Sequence, residues 1–204
     1  LTLGVALLAG ETALSVTAYL FAYALWLEKG TIGQRMLTLA PCAAVGLTWL
    51  VAYGLLGFGA GGSELMISPL SEPLRFVAAI GQRLPLLLHG QLTPVMPDLG
   101  ALFTGTASLI FLLVAVIALT LFTIVILPLL RKDPLARFWA TATVVAALPL
   151  CATFPSDRLL FGIGIGGMGL VAQLIARWSE SPELEDFWSR RSLRFVTALL
   201  IIFH

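Results

Sequence analysis

Residues 153–170 read TFPSDRLLFGIGIGGMGL, with two charges, Asp157 and Arg158, at a short turn between two apolar runs. The run before the turn carries Pro149 and Pro155 at its end, and the run after it is crowded with glycines. An unpaired charge within hydrocarbon costs roughly 2.5–3.5 kcal/mol on insertion scales, so charges at such a place are solvated, paired or held in a polar cavity. The turn is the first candidate for a site.

The flanking runs are membrane-like because the whole chain is. Of 204 residues, 59% are hydrophobic and only 11% charged, and the mean hydropathy is +0.99. A soluble domain is about 25% charged, so the composition places this chain in a bilayer. A net charge of +1 offers no case for nucleic-acid binding, which needs a basic face. Cys42 and Cys151 lie in apolar runs without CxxC spacing and read as small core residues.

Outward from the turn, the pattern predicts an all-α polytopic transmembrane helix bundle. Five full spans fall at about 3–27, 36–56, 102–129, 135–151 and 159–176, with a truncated sixth at 195–204. At 1.5 Å per residue the first is long enough to cross a core of about 30 Å. Residues 58–100 form a long loop holding Pro69, Pro73, Pro85, Pro94 and Pro97. Within it, 73–88 reads as a helix lying at the membrane surface, with Ser71 as N-cap and Pro73 in the first turn. Leu1 is not a methionine and the last run is too short to cross, so the expectation is one piece of a longer membrane protein whose N- and C-terminal parts lie elsewhere.

Basic residues orient the spans. The loops 28–35, 131–137 and 177–194 hold nine Lys and Arg, against three in 58–100 and 154–158. The positive-inside rule places the first set in the cytoplasm, and the 58–100 loop and the Asp157–Arg158 turn on the extracytoplasmic face. Were 73–88 to cross, the split would shrink to six against six, so the bias itself argues for a surface helix.

Each candidate site has a bland reading beside a functional one. Ser156 or Asp157 caps the fifth span while Arg158 snorkels to the surface; alternatively, Arg158 is a fork-shaped donor to a phosphate or carboxylate, helped by the positive helix end beside it. Glu11, Ser15, Tyr19 and Tyr23 recur every four residues, giving either a hydrogen-bonded seam between helices or a polar site lined by Glu11. His89 is a lone histidine, a weak helper for acid–base work without metal-ligand spacing. Glu64 is a loop carboxylate, solvated or in contact with a metal or acceptor. Residues 180–186 with Arg190, Arg191 and Arg194 read as a solvated cytoplasmic surface helix. The GIGIGG run has neither a preceding strand nor a P-loop lysine; Gly162 and Gly166, four apart, read as helix packing.

Three segments in order carry a resemblance. AGETALSVTAYLFAYALWLEKG (9–30), QRLPLLLHGQLTPVMPDL (82–99) and RFWATATVVAALPLCATFPSDRLLFGIGIGGMGL (137–170) are similar to segments of polytopic glycosyltransferases of the GT-C fold. More narrowly, the chain resembles bacterial relatives of the tetratricopeptide-repeat O-mannosyltransferases. The chain departs from them where Ala9–Gly10 replaces Ser-Lys, and where DRLLF stands for Glu-Arg-Tyr-Leu-Tyr. The resemblance implies an inner-membrane enzyme of a bacterium that transfers sugar from a polyprenyl-phosphate donor at the extracytoplasmic face. Its catalytic aspartate belongs to a loop upstream of Leu1, where a divalent metal can also act; no cofactor is evident in this chain. It further implies that Arg158, Asp157 and Glu11 are structural or lipid-phosphate contacts. Arg158 is the residue expected to steady the departing phosphate, with His89 a weaker helper in substrate binding. A non-catalytic membrane subunit or a transporter, with the Glu11 stripe along its path, is the alternative.

Overall fold

A computed structural model describes residues 2–57, 66–69, 71–93 and 95–180; the side chains of residues 9, 11 and 178–180 lie outside that description. Glu64, residues 181–194 and the sixth run at 195–204 fall outside it as well. Among the described residues the secondary structure is helical throughout, with eight α-helices: α1 Thr2–Ala9, α2 Ser15–Trp26, α3 Ile32–Leu37, α4 Ala40–Leu55, α5 Pro73–Leu92, α6 Thr106–Lys132, α7 Pro134–Ala147 and α8 Leu160–Glu180.

Among the described residues, three helical segments are long and apolar enough to cross a membrane: Thr106–Lys132, Pro134–Ala152 and Asp157–Arg177, with 27, 19 and 21 residues. At 1.5 Å per residue they reach about 40, 28 and 31 Å. Their surfaces identify the solvent. Leu109, Ile110, Leu113, Val114, Ile117 and Leu121 of α6 are exposed, an apolar band of the kind that lipid covers without cost. Thr120 and Thr123 on this helix return their hydroxyls to the carbonyls of Val116 and Leu119, so neither hydroxyl faces hydrocarbon unpaired.

The first two apolar runs are broken where single continuous helices were expected. Gly10 is extended between α1 and a 3-10 turn at Glu11–Leu14, and α2 begins only at Ser15. A mid-helix glycine costs about 1 kcal/mol relative to alanine, and here the chain departs from the helix at that residue. The second run is divided at Thr38–Leu39. Pro41 cannot donate to the preceding turn and its ring clashes there, so it sits in the first turn of a new helix, α4. The polar stretch before it is partly helical: Thr31 and Gln34 form a reciprocal capping box that starts α3.

The helix expected over 73–88 runs longer, to Leu92, with Pro85 inside it. Its N-cap is Glu72, not Ser71, and Glu72 pairs with Arg75 one turn later at 2.8 Å. The α5 face carrying Leu74 and Val77 is exposed, while Leu87, His89 and Gln91 are buried against the bundle.

α7 is the centre. It packs most extensively on α2 and α8, and α5 covers α8 together with the end of α7 while also meeting α6. Small side chains permit the close approach: Ala18 and Ala22 on α2, and Ala136, Ala142, Thr143, Ala146 and Ala147 on α7, are buried. Trp26 reaches across to donate to Thr141 Oγ1 at 2.8 Å. At the α6–α7 elbow, Arg137 donates to the last carbonyls of α6, those of Leu130 and Arg131, and lies over the Trp26 ring at 5.2 Å.

Candidate functional site

The α7–α8 turn is held from the side of the long loop by three hydrogen bonds. Arg83 of α5 donates to the carbonyl of Cys151 at 3.0 Å, Ile67 N–H donates to that of Ala152 at 2.7 Å, and Asp157 N–H donates to Asp98 Oδ2 at 2.8 Å. These bonds bring the loop and the Asp157–Arg158 turn to one end of the bundle. Asp98 sits in a 3-10 turn, Pro97–Ala101, that follows α5.

The Asp98 contact changes the electrostatics. The helical segment begins with a 3-10 turn at Asp157–Leu159, whose N-cap Ser156 is buried and makes no side-chain cap bond. The carboxylate that meets the amide at this start comes instead from Asp98, 59 residues away in the chain. The positive end expected to assist Arg158 with an anion is therefore already answered by an internal carboxylate. Arg158 and Asp157 are both exposed, and among the described residues neither side chain has a hydrogen-bond or ion-pair partner.

His89 is not brought into contact with this pair. It is 4% exposed, edge-on to Phe111 at 6.3 Å, with Nε2 3.4 Å from Thr93 Oγ1. Burial holds its imidazole below the ordinary histidine value, so the neutral ring is the native form at neutral pH. The folded value lies below the unfolded one of about 6.5. The neutral ring's contribution is therefore full above the unfolded value and is lost as pH falls through the folded one. The thermal midpoint should fall between pH 7 and pH 5, and His89→Leu should flatten that fall; an identical pH profile in the variant would remove this role.

The Glu11 stripe divides. Glu11 opens the 3-10 turn after Gly10, and its side chain lies outside the description. Ser15 and Tyr19 face α8, and Tyr23 is half exposed. Tyr19 Oη donates to Gly162 O at 2.6 Å and accepts from Gly166 N–H at 2.7 Å. The glycines of α8 serve three neighbours. A Cβ at Gly162 would lie 2.6 Å from Ser15 Oγ, one at Gly166 2.4 Å from Thr143 Oγ1, one at Gly169 2.4 Å from the Trp139 ring, and one at Gly167 2.9 Å from Gln91 Cγ. That is close packing of α2, α7 and α5 around one helix.

A second polar centre stands at the α6–α7 elbow. Asp133, 5% exposed, caps α7 by accepting from Leu135 N–H at 2.9 Å, and also accepts from Gln173 Nε2 and from Arg177 Nε at 3.2 Å. Burial raises its carboxyl, and the three donors more than offset this, leaving it below the ordinary carboxylate value. An Asp before a Pro at a helix start is a legible cap. The convergence of Gln173 and Arg177 on it from 40 and 44 residues away is not. Among the described residues, no three His, Cys, Asp or Glu side chains group as metal ligands.

Fold and site together define an all-helical membrane protein with a pinned polar turn at one end and a buried carboxylate knot at the elbow between α6 and α7. Comparison with protein-family models, curated proteins and solved structures finds no match to this chain.

Proposed function

We propose that this chain is the membrane-embedded part of a GT-C-type glycosyltransferase of a bacterial inner membrane, drawing sugar from a polyprenyl-phosphate donor at the extracytoplasmic face. The observation that carries the reading is Arg158: an exposed guanidinium, unpartnered among the described residues, on a turn that Asp98, Arg83 and Ile67 hold in place. A fork-shaped donor on a turn fixed in advance suits a departing lipid phosphate, because the backbone that carries it needs no reorganisation as charge develops. Asp157 is the neighbour that sets the turn through its amide; His89, buried and neutral, supports packing rather than the substrate contact. The carboxylate that activates the acceptor, with any metal, belongs to the upstream loop that the resemblance implies.

In the full-length protein, Arg158→Ala should lower transfer from a polyprenyl-phosphate sugar by about a hundredfold, the size of effect seen on losing one preorganised donor. Stability should stay within about 0.5 kcal/mol, as for other exposed sites. Arg158→Lys should fall between, keeping the charge and losing the fork. Unchanged transfer in Arg158→Ala would sink the assignment.

One observation favours a second reading, a transporter or non-catalytic membrane subunit. The first apolar run is discontinuous at Gly10–Leu14, and broken helices are a mark of transporters. Substrate flux in proteoliposomes without sugar transfer would select it.

A further inference from the structure

Five glycines fall within eight residues of α8, from Gly162 to Gly169. Each costs about 1 kcal/mol of helix propensity relative to alanine, so this part of the helix is held by its neighbours rather than by itself. Two polar side chains grip it from opposite faces, and they do so differently.

On one face is Tyr19. Its hydroxyl accepts from the Gly166 amide and donates to the Gly162 carbonyl, the two groups that pair with each other in a regular turn. A side chain placed in the ladder in this way is a recognised cause of helix bending. On the other face is Gln91 of α5, 7% exposed, lying against Gly164 and Gly167. Its amide has no hydrogen-bond partner among the described residues. A buried amide left unpaired costs about 1–3 kcal/mol, a cost that calls for a use.

We infer that α8 is hinged at Gly162–Gly167 and that Tyr19 is the positioning residue that sets the hinge. In the observed state Tyr19 holds the Gly162 carbonyl and the Gly166 amide; in the alternative state it releases them, and backbone groups of Gly164–Gly167 turn to Gln91, whose amide has no partner among the described residues. Beyond the hinge, Gln173 and Arg177 anchor α8 to Asp133. Before it, the turn carrying Arg158 is tied to the long loop by the hydrogen bonds from Arg83, Ile67 and the Asp157 amide. Both ends are anchored to different partners, so bending at the hinge changes the angle between them and carries the Arg158 turn together with the loop that holds it. This rests on the proposed site only for what the motion serves, because the hinge itself is a property of the backbone.

The test uses the full chain in lipid nanodiscs, with native cysteines replaced by alanine and spin labels at Phe161→Cys on the moving end and Leu121→Cys on α6, both exposed. With Tyr19 present one distance population is expected. Tyr19→Phe should give a second population, and adding Gln91→Leu should return it to one. An unchanged single population in Tyr19→Phe, or a second population that survives Gln91→Leu, would overturn the hinge. Should Tyr19→Phe fail to fold, amide exchange in the parent decides. Residues 164–168 should exchange at least tenfold faster than 170–174, and equal protection overturns the inference. Neither readout involves sugar transfer, so a failure of the Arg158 assignment and a failure of the hinge are separately visible.

Discussion

Replacing Asp133 by alanine is expected to cost about 3 kcal/mol of stability, near the lower end for removal of one partner from a buried charged pair. The lower end applies because Arg177 is partly solvated, with its side chain 44% exposed. Three donors lose their acceptor together: the Leu135 amide at the start of α7, the Gln173 amide and the Arg177 guanidinium. Because these come from both α7 and α8, the loss loosens the packing of the two helices and not one helix end alone. Thermal unfolding in detergent should show a midpoint lower by roughly 6–12 °C, scaling from 2–4 °C per kcal/mol for chains of this size. Asp133→Asn, which keeps an acceptor for Leu135, should lose less. The pH sign follows from the carboxyl's depressed value. Its contribution is whole above the unfolded carboxylate value and disappears only as pH falls through the lower, folded one, so the wild type and Asp133→Ala should converge in strong acid. A loss below about 1 kcal/mol would show that solvent replaces the knot easily, against the charged-bond magnitudes expected.

Gly169→Ala should destabilise by about 1–3 kcal/mol, whereas Gly81→Ala should stabilise by up to about 1 kcal/mol. Both are helical glycines, and a sequence scale would treat them alike. At Gly169 the new methyl would meet three atoms of the Trp139 indole at 2.4, 2.6 and 2.7 Å. Trp139 is itself packed on Phe138 with ring centroids 4.7 Å apart, so the ring has a neighbour to displace if it yields. At Gly81 nothing lies within 4 Å, and the added methyl acts only by restricting the unfolded chain and favouring the helix. Opposite signs in paired unfolding measurements confirm that α8 glycines are contact surfaces. Equal signs would show that the α7–α8 interface tolerates an extra methyl.

Different parts of this protein were legible to different degrees. The apolar band of α6 could be read because each residue in it meets lipid independently, so composition over about twenty residues suffices. The Asp157–Arg158 turn could be located for the same reason: charges mark where hydrocarbon ends. The breaks at Gly10 and before Pro41 were written in residues whose local cost is known, yet the runs read as continuous because hydropathy windows average over a glycine or a proline. Tyr19 was on a legible stripe, but its partners are 143 and 147 residues away. Gln91, Asp98 and Gln173 gave no local signal at all.

The amino-acid sequence by itself determined that this chain is an all-helical membrane protein, where its longest helix lies and where its charges can stand, because those follow from the transfer energy of short stretches between water and hydrocarbon. Only the tertiary structure decided which carboxylate meets the start of α8, which glycine receives which side chain, and that Tyr19 enters the helix ladder while Gln91 has no hydrogen-bond partner among the described residues. Those outcomes depend on which faces of distant helices touch, and contact energies at that range are set by three-dimensional fit, for which no stretch of sequence carries a local price.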